Sequence, residues 1–322
     1  MRKKFFLKKL LNFLSQFNTG QRNLIFFVIL LLLTFLTYFE LLQNTFLADD
    51  YAIIHQVSSG GNYLRAGVFF RPVVLFIWKQ FYNLFQYQAF YYYLFTLIII
   101  AMIGISIRFL ILTLNYFLNA NNFSMRHSKL WAHVSLLSPV IFIVHFRKTE
   151  AVAWLSDWYY LFAGLFSLLS IISYMYYKIK SNQKVFLGLS IISYTLAVFS
   201  HEQAFPVIFL FFILDWSAKK NAERRLIHFF KNYGQAFFYF GVMISYFVIR
   251  YYLIGGIGGY SHISLRDYLN LKKIHHFLGL IIPPLHFSSI AQYIIPVIII
   301  VLGQIVALAY GFSGLFKKNN IK

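Results

Sequence analysis

Two adjacent carboxylates stand in the stretch Phe46 Leu47 Ala48 Asp49 Asp50 Tyr51, directly after an apolar run long enough to cross a membrane. An acid at the water edge of a bilayer is costly to desolvate, so a pair of them there is a candidate functional site. Neighbouring side chains point in different directions on helix or strand, so Asp49 and Asp50 should not share one target. One could face a reacting group while the other orients it. A plainer role competes with this. Asp49 could cap a short interfacial helix starting near Tyr51, with Asp50 in its first turn, where negative charge is favourable.

The rest of the chain must hold those charges at a membrane. Of 322 residues, 60% are hydrophobic, 21% aromatic and only 12% charged, against about 25% charged in soluble domains. The 29 Lys and Arg outnumber nine Asp and Glu. Such an excess suits nucleic acid or an anionic membrane surface. Its placement in short clusters between apolar runs decides for the membrane, and no nucleic-acid partner is expected. Cysteine is absent, which excludes disulfides, thiolate zinc sites and a cysteine nucleophile. The basic start, Met1 Arg2 Lys3 Lys4, resembles a signal peptide, but the apolar run that follows is too long for a cleavable core, so it is expected to remain as the first span.

Apolar runs of spanning length lie at 22–42, 88–118, 130–146, 151–177, 185–200, 203–217, 233–254 and 291–316. The expected fold is an all-α polytopic membrane protein: one domain, 1–322, of about eight transmembrane helices. Residues 1–21 form a basic cytoplasmic start, 43–87 a first outer loop with the acidic pair, and 255–290 a long outer loop. The stretch Arg71 to Tyr87, interrupted by Pro72, Lys79 and Gln80, reads as an interfacial or re-entrant helix within the first outer loop. With the amino terminus inside, nineteen Lys and Arg fall on the cytoplasmic face and eight on the outer face, with Lys79 and Arg108 left within apolar segments. Both termini are therefore expected in the cytoplasm.

That topology places Asp49, Asp50, Glu150, Asp157 and Glu202 on the outer face, from three separate turns, which marks a shared site. Each acid could also be an ordinary helix end, since Glu150 and Glu202 both open apolar runs. In the last outer loop, Arg266, Lys272, Lys273, His275 and His276 alternate with apolar residues as in an interfacial helix that could hold a lipid phosphate. The glycines from Gly255 to Gly259 precede it. His145 with Glu150, or His275 with His276, makes no spaced metal motif.

The order of these pieces is similar to a known family. Ala48 Asp49 Asp50 Tyr51, then Phe70 Arg71 Pro72 Val73, then His145 through Thr149 Glu150 Ala151 Val152 Ala153 Trp154, then Ser200 His201 Glu202 Gln203 Ala204 with Pro206 and Asp215, resemble the GT-C superfamily of integral-membrane glycosyltransferases. The likeness is to the transmembrane O-mannosyltransferases that carry tetratricopeptide repeats and to their bacterial relatives, and it covers roughly residues 20 to 220. The chain departs from the pattern at Phe146, where a proline is usual. It departs again at Trp158 Tyr159 Tyr160, where an Arg-x-Asp tends to stand, and at His201 in place of a lysine.

What the resemblance implies is a GT-C-like helical bundle that transfers a sugar from a polyprenyl-phosphate carrier to a protein, lipid or glycan acceptor on the outer face. Asp49 would take the acceptor proton as the glycosidic bond forms. Asp50 would position it or, with Glu150, help hold a divalent metal such as magnesium or manganese. Crowding of Asp49 and Asp50 would raise one pKa. Glu150, Glu202, His145 and His201 would contact acceptor or donor, and Arg71, Arg147 or Lys148 would neutralise the leaving phosphate. Two other classes compete: a scaffold that has kept the fold and lost activity, and a transporter or flippase of a lipid-linked saccharide. The expected location is a bacterial inner membrane.

Overall fold

The computed structural model describes residues 18–61, 64–66, 69–120, 128–145, 148–180, 183–217 and 234–255. The last apolar run, the 255–290 loop beyond its first residue, and Arg147 lie outside the described residues.

The described chain is almost entirely helical: α1 (Thr19–Tyr38), α2 (Asp49–Ser58), α3 (Pro72–Phe85), α4 (Ala89–Ala120), α5 (Ser128–Val144), α6 (Lys148–Ala153), α7 (Trp158–Ile179), α8 (Lys184–Ser200), α9 (Val207–Ser217) and α10 (Gly234–Ile254). Four segments are long and apolar enough to cross a membrane, Thr19–Gln43, Ala89–Ala120, Leu155–Ile179 and Phe237–Ile254. Two further apolar helices, Leu130–Val144 and Lys184–Ser200, are shorter. The protein is thus a helical membrane protein. A small antiparallel ladder, β1 (Arg65–Ala66) with β2 (Phe69–Phe70), departs from the all-α expectation.

Local chemistry explains where the helices begin. Asn18 and Gln21 form a reciprocal capping box at the start of α1, each side chain meeting the other's backbone N–H at 2.9 Å, which satisfies two donors that the first turn leaves open. Hydroxyls inside the apolar helices turn back on their own backbone: Thr34 donates to the Leu30 carbonyl and Thr96 to that of Tyr92. No polar atom of theirs is left facing lipid. Lys79, which lies in an apolar stretch of sequence, donates to the Val57 carbonyl at 2.9 Å. It satisfies the negative end of α2 and fastens α2 to α3.

The segment 151–177 is not the single continuous span its hydropathy implies. It breaks at Trp154, whose backbone is extended (φ −104°, ψ 102°), and passes through a 3-10 turn, Leu155–Asp157, before α7 begins. Hydropathy averaged over a spanning window is blind to this break because Ser156 and Asp157 are outweighed by the apolar residues on either side.

Contacts between helix ends show that the direction alternates. Tyr38 at the end of α1 donates to the Ile143 carbonyl at the end of α5. Tyr93 near the start of α4 donates to the carbonyls of Thr45 and Ala153. At the opposite end, Lys178 of α7 pairs with Asp215 of α9 at 2.7 Å and donates to Gln235 of α10 at 2.9 Å. One end therefore gathers α2, β2, α6 and the turns before α7 and after α8.

Trp158 sits at the centre of that end. It is fully buried, lies 5.1 Å from the Trp78 ring and 5.3 Å from both Phe81 and Phe95, and donates its indole N–H to Thr96 at 2.7 Å. Trp158→Ala is expected to destabilise the fold by about 3–5 kcal/mol, read as a lowered melting temperature in detergent micelles. Trp158→Phe should recover most of the loss, less the orphaned Thr96 contact.

Candidate functional site

The site is built where α2, α3, α7 and α8 meet. Its acidic pair divides as neighbouring side chains should: Asp49 is exposed and Asp50 fully buried. The cap position of α2 belongs to Ala48 and is not filled by the Asp49 side chain. Ala48 takes the unusual backbone φ 40°, ψ −109°, and both acids lie in the first turn. A residue with a β-carbon holds such a backbone only when its surroundings over-determine it. Asp50 supplies that restraint by accepting the Leu47 N–H at 3.0 Å through Oδ2.

Asp50 Oδ1 meanwhile accepts both the backbone N–H of Ser156 at 2.6 Å and its hydroxyl at 2.5 Å. One carboxylate thereby clamps the start of α2 to the 3-10 turn before α7. Burial pushes its carboxyl above the usual carboxylate range, opposed by the hydrogen bonds from Ser156, Leu47 and Leu155. The shift is thus one of desolvation and not of crowding by Asp49. With three protein donors on its two oxygens and no exposed surface, Asp50 does not fit the role of metal ligand. Among the described residues no group of three His, Asp or Glu converges to hold a metal ion.

Arg71 enters from β2. The ladder buries Phe70 against Phe199 and Tyr246, and Tyr246 donates to the Phe70 carbonyl at 3.2 Å. Arg71 then precedes Pro72, which opens α3 at the one place where a missing N–H is harmless. The guanidinium is held over the rings of Phe69 and Tyr159, at 4.5 and 4.2 Å from the centroids. Among the described residues no carboxylate pairs with it, and its buried Nε has no hydrogen-bond partner.

Arg71 Nη2 lies 3.0 Å from His201 Nε2, while His201 Nδ1 accepts the Gln203 N–H at 3.0 Å. A neutral imidazole has one acceptor nitrogen and an imidazolium none. Two donors converge on this ring, so protonation is opposed from both sides. His201 is pushed down to about 4, mainly by burial and further by Arg71, with Glu202 pulling the other way. Glu202 Oε2 stands 3.9 Å from Nδ1.

A pH dependence follows. Because the folded pKa lies below the ordinary value of 6.5, the unfolded chain gains a proton near pH 6.5 that the folded protein refuses until about 4. Stability should fall as pH drops through that window, by up to about 3 kcal/mol. Melting curves between pH 7 and 4.5 should show the loss, and His201→Gln should flatten it.

The remaining acids lie at the same end. Asp157 interacts electrostatically with Glu150, Arg71 and Asp50, and Tyr159 with Arg71, Asp49 and Asp50. Residues from three separate turns are therefore brought together: Asp49 and Asp50, Glu150 and Asp157, His201 and Glu202, with Arg71 among them. Glu150 is exposed and His145 half-buried at the end of α5. Lys148 opens α6. The sequence gives no sign of Ser156 or Tyr159 as participants: a serine donor and an aromatic ring carry no motif, and only the fold sets them against Asp50 and Arg71. No protein-family model, curated protein or solved structure matches this chain.

Proposed function

We propose that the chain is an integral-membrane glycosyltransferase that moves a sugar from a polyprenyl-phosphate donor to a hydroxyl acceptor on the outer face. The observation that carries the reading is Arg71, a guanidinium with no carboxylate in salt-bridge contact among the described residues, held over the rings of Phe69 and Tyr159, the second of which also interacts electrostatically with the exposed Asp49. A fixed cation that has acids nearby but none in salt-bridge contact is suited to a phosphate. An exposed carboxylate at the same end of the bundle is suited to the proton that glycosyl transfer releases.

In this mechanism the acceptor oxygen attacks the anomeric carbon of the donor, and its proton passes to Asp49. The bond from that carbon to the phosphate oxygen breaks, and its electrons stay on the polyprenyl phosphate. Arg71 meets the growing charge, which is where fixed donors contribute most. His201 remains neutral and leaves Arg71 as the charged group of the pair. Asp50 works indirectly by holding the turn that presents Asp49, while Glu150, Asp157 and Glu202 are placed to orient acceptor hydroxyls. No step is drawn through a metal.

The outer-face assignment rests on the distribution of lysine and arginine, the count of about eight spans on the apolar runs, and the interfacial placement of α3 on the interruption of its apolar stretch by Pro72, Lys79 and Gln80. The inner membrane is the proposed location. The reaction is tested with purified protein in liposomes, following radiolabelled sugar from a panel of polyprenyl-phosphate donors into acceptors. Label should transfer with the native chain and not with Asp49→Asn. Transfer no greater than in protein-free liposomes, across the whole panel, would sink the proposal.

A further inference from the structure

At the end of the bundle opposite this site, Arg108 of α4 lies inside a membrane helix with no carboxylate partner among the described residues. Its Nε is 3.5 Å from Asn23 of α1, its Nη1 3.4 Å from Ser135 of α5, and its guanidinium lies 4.6 Å from the Phe26 ring centroid. Both polar contacts are longer than a good N–H···O bond, and the Ser135 hydroxyl already donates to Ala132 at 2.8 Å. Helices α1, α4 and α5, which surround the group, contain no Asp or Glu along their whole lengths.

A charge inside a membrane domain is ordinarily paired with an opposite charge. Here the three helices supply none, and Arg108 is only partly buried. Asn23 lies one turn from the start of α1 and Ser135 two turns from the start of α5, about 6–10 Å inside the helix ends. From that depth a long arginine side chain reaches the headgroup level of the adjoining leaflet. We propose that Arg108, Asn23 and Ser135 form a binding site for the headgroup phosphate of an anionic phospholipid at the place where α1, α4 and α5 meet. The guanidinium fork takes two phosphate oxygens, and the amide and hydroxyl hold the fork in place. This inference is independent of the transfer reaction.

The test uses the full chain in detergent, with native mass spectrometry and melting curves as readouts, and phosphatidylglycerol, phosphatidylcholine and inorganic phosphate as probes. Phosphatidylglycerol should remain bound through delipidation and raise the melting temperature. Arg108→Gln should lower its occupancy roughly tenfold, the worth of one charge-assisted bond pair. Arg108→Lys should retain part of it, and Lys184→Gln, at an exposed lysine elsewhere, should retain all of it. Equal phosphatidylglycerol occupancy in native protein and in folded Arg108→Gln overturns the site. Equal retention of phosphatidylcholine overturns the anionic preference, and equal stabilisation by millimolar inorganic phosphate shows a free-anion site in place of a lipid one.

Discussion

Asp49→Asn is expected to remove sugar transfer and leave the fold intact, whereas Asp50→Ala is expected to unfold the protein more readily. The two residues are neighbours with the same side chain, so the contrast is one of environment alone. Asp49 is exposed at the start of α2 and bears no structural hydrogen bond in the described network, so its amide replacement should change the melting temperature little. Loss of a general base at that position should lower turnover by about 10²–10⁴-fold while donor binding persists. Asp50 instead meets three donors, the Ser156 N–H and hydroxyl and the Leu47 N–H. Truncation to alanine leaves all three unmet in a buried place and should cost about 3–5 kcal/mol.

Asp50→Asn should fall between these. Its amide oxygen can still serve Ser156, but its NH₂ group faces the Leu47 N–H, donor against donor, for a loss of about 1–3 kcal/mol. Melting curves and initial rates on the same preparations check the set. Full stability with lost turnover in Asp50→Asn would transfer the proton-accepting role from Asp49 to Asp50.

How far the sequence carries depends on whether an interaction leaves a local trace. The apolar runs and the gathering of acids at one face are visible because both follow from where charges fall along the chain, and alternating helices then bring Asp49, Glu150 and Glu202 to one end. The inside of the site is not visible. Asp50 finds Ser156 across 106 positions, and Arg71 finds His201 across 130. Ser156 carries no motif, and although Arg71 and His201 are each singled out by the resemblance, nothing local in the sequence pairs them. The break at Trp154 escapes notice for a related reason: it is held by Asp50 from another helix and not by a glycine or proline. Trp158 stands where the resemblance leads one to expect an Arg-x-Asp, and it serves as the aromatic centre of the site's floor. Asp157 immediately before it supplies an acid at nearly the same place.

Arg71→Gln is expected to weaken donor binding by about 10–150-fold, the range for a charge-assisted hydrogen bond of about 1.5–3 kcal/mol, with the effect on KM for donor exceeding that on KM for acceptor. The more discriminating variant is Arg71→Lys. An ammonium keeps the charge, but it cannot lie flat over the Phe69 and Tyr159 rings or offer a fork to two phosphate oxygens. If Arg71 acts through planar recognition of phosphate, lysine should restore less than about a tenth of the lost affinity. If only the local field matters, lysine should restore nearly all of it. His201→Gln separates the remaining possibility, that Arg71 serves chiefly to keep the imidazole neutral. Glutamine can still accept from Gln203 or from Arg71 and cannot be protonated, so donor affinity should survive in His201→Gln while the acid sensitivity of the fold disappears. Isothermal titration with a non-transferable polyprenyl-phosphate analogue reads these affinities directly, without requiring turnover. Loss of analogue binding in His201→Gln equal to that in Arg71→Gln would make the pair a single structural unit and remove the argument for a phosphate at Arg71.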